Sequence, residues 1–187
     1  EIIFEIGKVC FMPLSFGGGI RSILDVDLLI KNGADKIIIN NLLFSNPKEV
    51  KKIVKKYGSQ AVIGSLDYKK IDDRVLVFSN YGANNLNISL LEAVRMIEDL
   101  GVGEIFLQNI NYDGIPNGFD LEQIGKVTEI LKIPVIACSG AGKSSHFEEV
   151  SKIDNLSGIA AGNIFNFKED AYQEIKKVLK EMKVNVR

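Results

Sequence analysis

The chain has 187 residues, 46% hydrophobic and 25% charged, with a formal net charge of −1. That length supports one sizeable core, and the near-neutral charge gives no basic field for a nucleic acid to recognise. No apolar run reaches the about 18 residues that a membrane span needs, and no signal-peptide pattern is present. Cys10 and Cys138 stand far apart without metal-ligand spacing, so a cytoplasmic protein with reduced thiols and no metal is expected.

The sequence opens at Glu1 inside an apolar-periodic run (Ile2, Ile3, Ile6, Val9), which reads as the end of a helix that begins earlier. Short apolar runs at 13–16, 36–40, 61–67, 104–109, 134–138 and 158–161 read as strands buried on both faces. Helical patterns lie between them. One starts at Asn46-Pro47, an N-cap followed by proline, and carries Val50, Ile53 and Val54 inward. Its lysines (Lys48, Lys51, Lys52, Lys55, Lys56) make a solvated face. Residues 72–87, polar and rich in asparagine and glycine, read as an active-site loop. A further helix follows the acidic cap Asp120, and the last carries Ile175, Val178, Leu179 and Met182 at i, i+3, i+4 and i+7. Glycines close several helices, at Gly33, Gly58 and Gly101.

Strand–helix alternation of this kind implies βαβ units and a parallel sheet. Six units and the leading helix remnant fit an α/β (β/α)8 TIM barrel that lacks its first two β/α units, with residues 1–187 as one barrel domain. A doubly wound open sheet is the alternative. Two unpaired strand edges would remain, so a closed barrel is not expected.

An internal repeat favours the barrel. Shifted by 122 residues, Phe16-Gly17-Gly18-Gly19 falls on Cys138-Ser139-Gly140-Ala141, and Asn40-Asn41-Leu42 falls on Gly162-Asn163-Ile164 without a gap. Each copy has a glycine turn between a strand and a helix, where backbone N–H groups can approach a phosphate closely. In a barrel the two turns lie roughly opposite each other on the C-terminal face, a spacing suited to a ligand with a phosphate at each end.

Asp67 ends an apolar strand, where a carboxylate that faces the barrel mouth can serve as a general acid/base. Asn111 and Asp113-Gly114 follow the next strand; a turn and a ligand role are both open for them. Asp35, Lys36 and Glu104 begin strands at the opposite end, a position that usually serves stability, although they could pair around a central opening. His146, the sole histidine, reads as a helix-face residue, and Cys138 as a small packing residue near the site.

The stretch Pro13–Ser22 resembles the third-strand signature of the cyclase subunit of imidazole glycerol phosphate synthase. Matching stretches recur at 33–40, 58–60 with Asp67, 101–118, 133–143, 160–167 and the final Val184-Asn185-Val186-Arg187. The resemblance implies an enzyme of histidine biosynthesis that binds a glutaminase in a heterodimer. It receives ammonia through the barrel and converts a bis-phosphorylated aminoimidazole-carboxamide ribonucleotide to imidazole glycerol phosphate and aminoimidazole ribotide, with no cofactor. By that resemblance Asp67 is one catalytic aspartate, its partner lying on a first strand absent from this sequence. Gly18, Gly19 and Asn40 serve one phosphate; Asp113, Gly114, Ser139, Gly140, Gly162 and Asn163 serve the other. Lys36 and Glu104 form part of a charged ammonia gate, and Asp35 lies on the face that meets the glutaminase.

Cys138-Ser139-Gly140 and Gly162-Asn163 depart from the family's usual Ser-Gly-Gly and Ala-Ser, and Asn111 with Asp113 replaces paired aspartates. These forms resemble a paralogous branch that conducts ammonia for a sugar amidotransferase in surface-polysaccharide (lipopolysaccharide) biosynthesis without cyclising. A phosphate-binding isomerase barrel of the same pathway is a third reading.

Overall fold

A computed structural model describes residues 2–186. Its strands are β1 (Ser15–Gly17), β2 (Lys36–Ile39), β3 (Val62–Ile71), β4 (Arg74–Ser79), β5 (Asn84–Ser89), β6 (Glu104–Asn109), β7 (Val135–Cys138) and β8 (Leu156–Ile159). The helices are α1 (Ile2–Val9), α2 (Ile23–Lys31), α3 (Asn41–Ser45), α4 (Pro47–Tyr57), α5 (Leu90–Glu98), α6 (Leu121–Ile130), α7 (Ser144–Val150), α8 (Asn163–Phe167) and α9 (Ala171–Glu181).

The sheet runs β1-β2-β3-β6-β7-β8, with every neighbouring pair parallel. Among the described residues β1 and β8 are not paired with each other, so the curled sheet is a partial (β/α) barrel with two open edges. Local chemistry sets the helix starts as expected. Asn46 caps α4 by accepting the Glu49 N–H with proline behind it, and Asp120 caps α6 by accepting the Gln123 N–H.

Burial on both strand faces holds for β3, where Val62 to Leu66 are all buried, but not for β2, β6 and β7. Along β6, Ile105, Leu107 and Asn109 are buried while Glu104, Phe106 and Gln108 are half-buried; β2 and β7 alternate in the same way. The buried set packs against the helices, each side chain such as Ile105 contributing about 1.5–3 kcal/mol on burial. The other set faces the concave side, which an open sheet leaves partly exposed.

The segment 72–87 is also corrected. Its polarity suggested a loop, but β3 runs on to Ile71 and turns into the antiparallel hairpin β4–β5. Leu76, Val77 and Phe78 are buried in it, so the hydrophobic signal sat inside a polar frame. The last strand begins two residues earlier than its apolar run, because Leu156 pairs with Val135.

Candidate functional site

The parallel register puts the ends of β1, β2, β3, β6, β7 and β8 on one edge of the sheet, so both glycine turns, Asp67 and the Asp113 loop open on the same end. Registered partners share a face. Ser65 and Phe106 pair, as do Asp67 and Gln108, and Gln108 pairs in turn with Cys138. Asp67 therefore lies on the concave side, opposite to its neighbours Leu66 and Tyr68, which are buried toward the helices.

Burial pushes the Asp67 carboxyl above the usual carboxylate range; the Asn40 side chain opposes this as a hydrogen-bond partner, and the Asp113 charge adds to the rise. Gln108 donates to Asp113 at 3.4 Å, so Asn40, Asp67, Gln108 and Asp113 form one polar group above the sheet edge. Burial likewise holds the Cys138 thiol up and away from thiolate, which agrees with a packing role.

The second turn forms a walled cavity of about 450 Å³. Asp113, Gly114, Ser139, Gly140, Gly162 and Asn163 all line it. Gly140 takes φ +91°, and a Cβ there would stand 2.0 Å from the Gly118 oxygen. The Gly118 N–H donates to the Gly140 carbonyl at 2.8 Å, which ties the 110–119 loop onto the turn. Gly140 is thus required for backbone approach whether or not an anion binds. The first turn is open: Gly18, at φ +101°, and Gly19 have nothing within 4 Å of an added Cβ.

Among the described residues two buried side-chain polar atoms lack a hydrogen-bond partner, Asn40 Oδ1 and Ser139 Oγ. One belongs to each repeat of the turn plan. Buried polar atoms are nearly always partnered, and one left orphaned calls for an explanation such as a ligand.

At the other end of the concave face the Lys36 ammonium pairs with Glu104, half-buried, across the start of β3. Glu104 is in register with Ile63, four residues before Asp67, so roughly 13 Å of strand separates the ion pair from that carboxylate. Asp35 accepts the Leu14 N–H at 2.8 Å and so secures the entry to β1.

The sequence pattern of the histidine biosynthesis protein family matches residues 1–171. The chain belongs to that family. It is 38% identical over 188 residues to imidazole glycerol phosphate synthase subunit HisF of Hydrogenobaculum sp. (strain Y04AAS1), covering 100% of this chain and 75% of that one. The same-named subunit of Clostridium botulinum (strain Okra / Type B1) is 38% identical over 189 residues, with 100% and 75% covered. That of Staphylococcus carnosus (strain TM300) is 36% identical over 189 residues, with 100% and 74% covered. These names favour the cyclase subunit over the polysaccharide branch.

Within this histidine biosynthesis chain, several site features escaped sequence reasoning. Phe167 and Lys168 also line the cavity, placed there by the C-terminal end of α8 rather than by any glycine motif. His146 lies on α7 as expected, on the face that is buried, and its Nδ1 accepts the Gly142 N–H at 3.2 Å, so that amide is already engaged. Behind Asp67, the Tyr68 hydroxyl donates to Asp120 Oδ2 at 3.2 Å and Asn109 Nδ2 donates to the same oxygen at 2.8 Å. Asn109 Oδ1 accepts the Asn111 N–H at 2.9 Å, which joins the α6 cap to the loop that carries Asp113. Burial and the Asp120 charge push the Tyr68 hydroxyl far up, so it stays a donor. A tyrosine following an aspartate in an apolar run was the available signal.

Proposed function

We propose that this chain is the cyclase subunit of imidazole glycerol phosphate synthase. It adds ammonia to a bis-phosphorylated aminoimidazole-carboxamide ribonucleotide, closes the imidazole ring and releases aminoimidazole ribotide. Asp67 moves protons in that reaction, being a partly desolvated carboxylate on the concave face. Gly18, Gly19 and Asn40 hold one phosphate, and Gly114, Ser139, Gly140, Gly162 and Asn163 the other. The Asp113 side chain would oppose an anion; its share comes through the loop backbone beside Gly114, which is left-handed at φ +75°.

The observation that carries this reading is the pair of orphaned atoms, Asn40 Oδ1 in the turn after β2 and Ser139 Oγ in the turn after β7, one from each repeat, with Asp67 on a strand that lies between β2 and β7 in the sheet. A side-chain oxygen accepts from a protonated phosphate or a ribose hydroxyl, and Ser139 Oγ can also donate. Ammonia from a glutaminase partner would enter past the Lys36–Glu104 pair, with Asp35 on the same end of the barrel as part of the heterodimer face. No helix among the described residues is long and apolar enough to cross a membrane, and the proposed place of work is the cytoplasm.

The test is product formation from the bis-phosphorylated substrate by the full-length protein, first with an ammonium salt and then with glutaminase and glutamine. Imidazole glycerol phosphate should appear in both. No product under either supply would overturn cyclisation.

A further inference from the structure

The turn between β4 and β5 contains a residue that its geometry does not suit. Asn80, Tyr81 and Gly82 stand consecutively in the left-handed region, at φ +52°, +59° and +79°. A hairpin's twist calls for such values, and asparagine and glycine adopt them readily. Tyrosine does not, because its Cβ crowds the backbone there. Burial does not offset that cost, since Tyr81 is 96% exposed. A strained backbone carrying an exposed aromatic ring is a reason to look for a ligand.

The turn's position supplies one. Phe78 is the antiparallel partner of Asp67, so Tyr81 follows three residues after the residue level with the proposed acid/base, at the same end of the sheet. The turn is held on both sides. The Asn80 N–H donates to Asn41 Oδ1 at 2.8 Å, and Asn41 adjoins Asn40 of the first phosphate turn. On the other side Gly82 packs on Ile110, which follows β6; an added Cβ would stand 2.9 Å from its Cδ1. Tyr81 is therefore fixed over the rim between the first turn and the loop that walls the second.

We propose that Tyr81 is a substrate-contacting residue whose ring covers the flat aminoimidazole of the ligand while the two turns hold its phosphates. This rests on the reading given under Proposed function. An exposed tyrosine offers a flat apolar face with a polar tip, and a planar heterocycle stacks on such a ring without needing a fixed pattern of hydrogen bonds.

The chain has no tryptophan, so Tyr81→Trp introduces a single reporter at the rim. Its emission should change on adding the bis-phosphorylated aminoimidazole substrate, and should not change with a sugar bisphosphate that lacks the heterocycle. Tyr81→Asn removes the ring and suits the left-handed backbone. It should raise the melting temperature while raising KM for the substrate about tenfold, with sugar bisphosphate affinity unchanged. Tyr81→Phe should behave as the parent. An unchanged KM in Tyr81→Asn, or an equal loss for both ligands, overturns the inference. A parent protein that binds neither ligand overturns the functional reading and this inference with it.

Discussion

Asn40 and Gly162, 122 positions apart, hold nearly the same backbone geometry: φ −119° and ψ −86° at Asn40, φ −124° and ψ −69° at Gly162. Each opens a five-residue helix, α3 and α8, after a parallel strand. The residues that end these helices, Asn46 and Lys168, also match, at φ −149°, ψ 73° and φ −138°, ψ 109°. The repeat seen in the letters is therefore a repeat of backbone shape, carrying an amide side chain at one copy and none at the other.

Because Asn40 already holds nearly the Gly162 geometry, and nothing lies within 4 Å of an added Cβ, Gly162→Asn should fold normally. Its stability in urea should stay within about 0.5 kcal/mol of the parent. A larger loss would show that the two copies are not equivalent.

The two glycine turns should respond differently to alanine. Gly18→Ala meets only the left-handed conformation, for about 1–2 kcal/mol. Gly140→Ala adds a clash at 2.0 Å with the Gly118 oxygen, so its loss should be clearly larger, roughly 3 kcal/mol or more, in the same unfolding measurement. Equal losses would mean that the 110–119 loop yields easily.

Ser139→Ala removes an orphaned buried hydroxyl, so thermal stability should hold or rise slightly. Affinity for the bis-phosphorylated substrate should fall about tenfold or more, the scale of a hydrogen bond to a charged group. Calorimetric titration that finds unchanged affinity would remove Ser139 from the phosphate site.

Asp67→Asn should abolish turnover with the fold intact. Since burial raises the folded carboxyl's pKa above its unfolded value of 3.8, the native state holds a proton that the unfolded chain has lost. That contribution to stability is complete below the unfolded pKa and disappears as pH rises through the folded pKa. Above the folded pKa the parent no longer has it, so the melting temperature of the parent should fall relative to Asp67→Asn as pH rises from 3.8 through that range. A difference that does not change with pH, or parental rates, would refute the assignment.

The sequence by itself determined the strand–helix alternation, the caps at Asn46 and Asp120, the 122-residue repeat and the placing of Asp67, because these depend on short-range periodicity and on residues whose chemistry acts within a turn or two. Tertiary structure decided the rest. The β4–β5 hairpin was hidden because its buried residues, Leu76 to Phe78, stand in a polar frame and are dry only once β3 and its neighbours cover them. The cavity, which Lys168 shares with Asp113, and the bond from Tyr68 to Asp120 join residues far apart in the chain. Hydrogen bonds across such separations leave no local periodic trace, so only the folded register of β3, β6 and the α6 cap could bring them together.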